Sequence, residues 1–204
     1  MSDRTAHWEA VYTTKSENEV SWFQETPATS LRLIRDANAS RVSRIIDIGG
    51  GASRLVDALL HEGFHFLTVL DISAAALDGA KMRIGAASAN VDWIVTDITK
   101  WTPQGTYDIW HDRAAFHFLT DATDQEAYVD RLRSALAPNG QVIIGTFALD
   151  GPEKCSGLPV QRHDARSLGE LLGSGFALAD NFTEAHRTPW GSIQHFQFSR
   201  FKRA

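Results

Sequence analysis

Ile45 to Leu55 reads I-I-D-I-G-G-G-A-S-R-L: an apolar run interrupted by one acid, three glycines, then a polar start to a helix. Glycines after a buried strand let the backbone turn sharply and approach a ligand with no Cβ in the way. The helix that follows turns its N-terminus to the same ligand. The pattern predicts a strand over Ser43 to Ile48 and a helix over Ser53 to His61 that buries Leu55, Val56, Leu59 and Leu60 and stops at Gly63. Asp47, two residues before Gly49, Gly50 and Gly51, is better suited to an amino group than to a diphosphate.

Downstream, Phe66 to Leu70 is a second apolar run ending at Asp71, 22 residues after Gly49. A carboxylate there can accept hydrogen bonds from both hydroxyls of a ribose. Ser73 is placed to cap a helix running to about Arg83. Val91 to Val95 is a third strand with Asp97 just beyond it, where an adenine amino group can be read. Tyr107 to Trp110 is a fourth strand and Thr123 to Ala137 a helix. Pro138-Asn139-Gly140 is a turn feeding the strand Gln141 to Phe147. After a helix near Ala165 to Leu172, Phe176 to Arg187 and Ile193 to Phe201 are extended, with Phe196 and Phe198 alternating with polar residues. The expected fold is α/β and Rossmann-like: a mostly parallel seven-stranded sheet, helices on both faces, and a C-terminal antiparallel hairpin. Three acids fall at successive strand ends of that sheet, where open α/β sheets bind their ligands. A dinucleotide-binding oxidoreductase is the rival, but its fingerprint needs a third glycine where this chain has Ala52, Ser53 and Arg54.

Upstream of residue 41, Trp8, Val11 and Tyr12 at helical spacing predict a short helix over Arg4 to Lys15. Thr26 as cap and Pro27 as first helical residue predict a second helix, with Leu31, Leu33, Ile34 and Ala37 on its apolar face, ending near Asn38 or Ser40. The chain of 204 residues fits one domain, divided into an N-terminal helical and aromatic lid segment, 1–40, and the α/β body, 41–204. Lys plus Arg number 20 against 25 Asp plus Glu, a net charge of −5 that argues against a nucleic-acid partner. The single cysteine, Cys155, permits no internal disulfide and suits a reducing cytosol. Met1 to Trp8 lacks a signal-type apolar stretch, and no run approaches the ~18 apolar residues of a membrane span. A cytoplasmic location without membrane attachment is expected. No metal-ligand spacing is present.

With these residues placed, Ser43 to Arg203 resembles class I S-adenosylmethionine-dependent methyltransferases. D-I-G-G-G-A-S is similar to their first motif, L-D-I-S (with Asp71 and Ile72) to their ribose-binding strand end, and V-T-D-I (with Asp97 and Ile98) to their adenine-side acid. Y-D-I-W-H-D-R-A-A-F resembles the fourth strand of the small thiopurine and tellurite-resistance type, although His111 stands where that group has Trp. W-E-A-V-Y followed by S-W-F-Q looks like that group's aromatic lead-in, and equally like that of small protein-lysine methyltransferases. The resemblance implies S-adenosylmethionine as cofactor and S-adenosylhomocysteine as product. It also implies that Trp8, Tyr12, Trp22 and Phe23 cover the cofactor, and that His111, Asp112 and Arg113 lie beside the methyl-transfer position.

Methyl transfer from a sulfonium mainly requires an aligned acceptor and excluded water. A thiolate or neutral amine needs little more, whereas an oxygen acceptor calls for a general base. His111 and His117 are the candidates for proton transfer, His117 reading more simply as a residue packed on the sheet. Asp112 and Arg113 have an alternative as a structural ion pair, and the N-terminal aromatics as a core staple. H-D-R-A follows the fourth strand in place of the [D/N/S]-P-P-[Y/F/W] of nucleic-acid amino methyltransferases, which disfavours nucleobase acceptors. The leading expectation is a small-molecule acceptor, sulfur or a related atom ahead of oxygen. The alternatives are a protein lysine and a cofactor-binding module without catalysis.

Overall fold

The computed structural model describes residues 3–204; Met1 and Ser2, the first two residues of the expected lid segment, lie outside the described residues. Seven strands form one sheet: β1 (Arg44–Ile48), β2 (Phe66–Asp71), β3 (Val91–Val95), β4 (Tyr107–Arg113), β5 (Leu136–Phe147), β8 (Phe176–Arg187) and β9 (Ile193–Arg203). Their spatial order is β3-β2-β1-β4-β5-β9-β8. The first five run parallel, while β9 is antiparallel to both β5 and β8. β6 (Lys154–Cys155) and β7 (Leu158–Pro159) form a small separate hairpin that strand periodicity does not reveal, because each is two residues long.

Alternation along the strands sorts the core into two layers. Ile45, Ile109 and Ile143 face α2 (Ala28–Asp36) and α3 (Leu55–His61). Ile46, Ile48, Trp110, Val142 and Ile144 face α5 (Ala122–Ala135) and α6 (Ala165–Leu172). Full burial of each large apolar side chain contributes roughly 1.5 to 3 kcal/mol, so the two-sided apolar strands specify the sheet strongly. α4 (Ala74–Ile84) starts where expected, with Ser73 Oγ accepting from the amide of Ala76. α2 begins one residue later than its sequence suggests: Pro27 takes the cap position with no side-chain bond, and Ala37 closes the helix ahead of Asn38, whose φ is 57°.

α1 (Asp3–Thr14) and the turn after it lie over the carboxyl end of the sheet. Trp8, Val11 and Val20 form a third apolar cluster, which Tyr12, Trp22, Phe23, Ile72 and Phe118 join. Among the described residues no helix is long and apolar enough to cross a membrane. None of their His, Cys, Asp and Glu side chains gather in a group of three that could hold a metal ion.

Candidate active site

The strand order reverses between β1 and β4, and the loops leaving both strands open a hollow at their carboxyl ends. An empty volume of about 720 Å³ there is lined by Trp8, Tyr12, Trp22, Gly49, Asp71, Ile72, Asp97, Ile98 and Arg113, among others. A second hollow of about 570 Å³ shares Tyr12, Trp22, Gly49 and Arg113 with it and continues to Phe23, Asp47, Gly50 and His111. The four N-terminal aromatics therefore converge on the glycine loop from the opposite side. Trp8 meets Phe118 edge-on at 4.8 Å between ring centres and Trp22 at 5.7 Å, and all three rings line the first hollow.

The loop can approach a ligand only because of its glycines. Gly49 sits at φ +64° and Gly51 at φ +47°, and a Cβ on Gly49 would overlap Ala115 Cβ. The amides of Gly49 and Gly50 both donate to the Leu70 carbonyl, which fixes the turn against β2. Asp71 is buried at the next strand end, and its Oδ1 accepts from the amide of Ser73 at 2.8 Å. Desolvation pushes its pKa up to about 7; backbone donors resist this and the charge of Asp47 adds to it. A carboxylate held dry without a counter-cation suits the two hydroxyls of a ribose, which donate without bringing charge.

Asp97 is turned partly to the protein. Its Oδ1 accepts from the amide and hydroxyl of Thr99, and Oδ2 pairs with Arg4 of α1 at 3.6 Å. His111 lies at the back of the second hollow with both ring nitrogens engaged, Nδ1 to Asp47 Oδ1 at 2.7 Å and Nε2 to Ser30 Oγ at 2.9 Å. Both nitrogens are therefore already hydrogen-bonded within the protein. His117 is fully buried and its Nδ1 accepts from the amide of Phe147, so it packs on the sheet.

One expected site residue faces the other way. β4 runs to Arg113, three residues beyond the strand end expected from its apolar run, so His111, Asp112 and Arg113 alternate across the sheet. Asp112 points into the α5 layer, where it accepts from the amides of Ala115 and Phe116 and from the Tyr128 hydroxyl, and it lines neither hollow. Its placement beside the cofactor is corrected to a buried anchor for the turn after β4, with burial pushing its pKa up to about 6. The suggested Asp112–Arg113 ion pair does not form, since adjacent strand residues point to opposite faces. Ser30 is a lining residue of the second hollow that sequence reasoning missed. It stands three, four and seven residues before Leu33, Ile34 and Ala37, a hydroxyl on an otherwise apolar helical face, and that misfit was the available signal.

A family described as "Methyltransferase domain" matches residues 45–140. The match runs from Ile45 in β1 through the glycine loop, both following strand ends and β4, so the matched stretch contains most of the residues that line the hollows. Malonyl-[acyl-carrier protein] O-methyltransferase 2 of Ilyobacter polytropus is 28% identical over 137 residues, covering 67% of this chain and 51% of that protein. EEF1A lysine methyltransferase 2 of Danio rerio is 29% identical over 68% of this chain and 66% of its own. The chain spans about half the length of the first of these curated relatives. The crystal structure of the N-methyltransferase NodS from Bradyrhizobium japonicum, in complex with S-adenosyl-L-homocysteine, superposes with a TM-score of 0.74 at 18% identity, covering 98% of this chain and 99% of that one. The Rossmann-like α/β fold is thus common to both.

Proposed function

We propose that this chain transfers a methyl group from S-adenosylmethionine to a small-molecule nucleophile, sulfur or a related heteroatom ahead of oxygen. When bound, the cofactor supplies an electrophilic methyl on a sulfonium. Asp71 and Ile72 would hold its ribose end, Asp97 and Ile98 its adenine end, and Asp47 with Gly49, Gly50 and Gly51 its amino-acid end. Trp8, Tyr12, Trp22 and Phe23 would exclude water above it. Aromatic faces near a sulfonium add a cation–π attraction of roughly 0.5 to 2 kcal/mol.

The observation that carries the choice of acceptor is the aromatic lining: Trp8, Trp22 and Phe118 meet edge-on along the first hollow, a concave apolar surface that suits a small molecule. The preference for a soft atom rests on His111, the one histidine among the lining residues, being held at both ring nitrogens by Asp47 and Ser30. The resemblance of W-H-D-R to the thiopurine and tellurite-resistance type supports the same preference.

Incubation with radiolabelled S-adenosylmethionine and a cell extract, fractionated by size, tests this reading. Label in the small-molecule fraction is the expected result, and label confined to protein would replace the acceptor with a lysine. The Danio rerio relative favours that second reading. Cofactor binding without label in any fraction would leave a binding module.

A further inference from the structure

β1 and β4 are parallel neighbours, and Asp47 stands opposite His111 in their register. Residues so paired project from the same face, which brings the carboxylate and the imidazole together at 2.7 Å. α2 crosses that face and sets Ser30 Oγ 2.9 Å from the far ring nitrogen. All three side chains are buried, and all three line the second hollow. An ionised carboxylate only accepts, so Nδ1 carries a proton and the ring's Nε2 is left to accept from the Ser30 hydroxyl. Asp47 Oδ1 is thereby committed. Oδ2 faces the glycine loop, 2.7 Å from where a Cβ on Gly50 would stand.

We propose that Ser30 and His111 are positioning residues for the amino-acid end of the cofactor. They fix the carboxylate of Asp47 so that Oδ2 meets an ammonium group at the loop. Without the pair, Asp47 is free to turn about its side-chain bonds, and a charge-assisted bond that depends on direction is weakened. Because Ser30 belongs to α2, that half of the site also depends on the seating of the segment that precedes the sheet. The inference rests on the cofactor reading above.

Calorimetry with two probes tests it: S-adenosylhomocysteine, and 5′-methylthioadenosine, which keeps the nucleoside and lacks the amino acid. The wild-type protein binding both is the expected starting point, and failure to bind either would remove the cofactor reading itself. His111→Gln places its amide near Nε2 and gives up Asp47, so S-adenosylhomocysteine affinity falls by about tenfold or more. His111→Asn places an amide near Nδ1 and keeps that affinity close to wild type. Ser30→Ala weakens S-adenosylhomocysteine by about two- to tenfold, the worth of one neutral hydrogen bond. Methylthioadenosine affinity stays unchanged in every variant, which also reports that each has folded. Equal loss of both ligands in His111→Gln and Ser30→Ala overturns the proposal, as does His111→Asn losing as much as His111→Gln, or no loss of S-adenosylhomocysteine in any of them.

Discussion

Arg113 donates through Nη1 to the carbonyl oxygen of Trp22 at 2.8 Å, so the last residue of β4 holds the aromatic segment that precedes the sheet. The guanidinium lies over the Phe196 ring at 4.8 Å, and its Nε and Nη2 meet no hydrogen-bond partner among the described residues. Burial pulls its pKa down to about 10, with Glu184 among the charges acting the other way, and the group remains a cation at neutral pH. A dry, incompletely bonded cation is an expensive clamp, which ties its purpose to the hollow beside it rather than to overall stability.

Arg113→Met is therefore expected to leave thermal stability within about 2 kcal/mol of wild type, because the desolvation cost disappears along with the hydrogen bond. The segment around Trp22 should loosen, which tryptophan fluorescence and proteolysis both read. A loss of more than twice that stability would show the guanidinium to be a structural keystone instead.

Asp71→Ala removes the carboxylate proposed to accept from two ribose hydroxyls and should lower S-adenosylhomocysteine affinity by about tenfold to a hundredfold. The pKa of Asp71, pushed up to about 7, adds a pH signature. Hydroxyl donors favour the ionised carboxylate, so binding at pH 6 expels a proton, and affinity falls as pH drops below about 7. Calorimetry in two buffers of different ionisation enthalpy should report that proton for the wild type and not for Asp71→Ala.

The sheet was legible because its strands are apolar on both faces: Ile45 and Ile46 serve opposite layers, and no other element suits such a run. Asp71 was legible because it ends one of them. β4 was cut short at Trp110, since His111, Asp112 and Arg113 read as a loop by polarity alone. What makes them strand residues is invisible in one dimension: Asp47, Tyr128 and the Trp22 carbonyl supply polar partners from 16 to 91 residues away. The N-terminal aromatics were legible as a group, but their seating depends on charges that periodicity does not rank. Glu9 accepts from the Ser73 hydroxyl and the amide of Ala75, at the start of α4. Glu17 pairs with Arg54 and with Arg83, which also binds Asp57.

His117 makes the protein sensitive to acid. Burial pulls its pKa down from 6.5 to about 3, with His163 and Arg113 nearby adding to the effect. An unfolded chain takes up a proton near pH 6.5 that the folded protein refuses, so stability from this group is complete above that pH and drains away as pH falls toward 3. The loss amounts to roughly 3 kcal/mol by pH 4. Asp71 and Asp112, both raised, act in the opposite sense over the same range, so a comparison isolates the histidine. The stability gap between wild type and His117→Asn should shrink between pH 7 and pH 4 by about that amount in denaturant titrations. A gap independent of pH would mean that His117 accepts protons in the folded state.

The segment ahead of the sheet is expected to act as a lid. Trp8, Val11 and Val20 form a small cluster of their own, and much of the segment's further attachment is polar: Arg4 to Asp97 and Asp124, Glu9 to α4, Glu17 to Arg54 and Arg83. These pairs keep contact with solvent, so each contributes on the order of 1 kcal/mol and is screened by salt. Such a segment opens locally at small cost, and a nucleoside beneath Trp8, Tyr12 and Trp22 gives it a further surface to close on. Limited proteolysis should cut within residues 3–24 readily in the free protein and slowly with S-adenosylhomocysteine present. The difference should widen in 0.5 M salt, because the free segment loses its ion pairs while the liganded one keeps its apolar contacts. Glu9→Ala should speed cleavage of the free protein and leave that of the liganded protein nearly unchanged. Removal of the segment should leave a folded α/β body with most cofactor affinity lost. Equal protection with and without ligand, together with unfolding on truncation, would assign the aromatics to the permanent core.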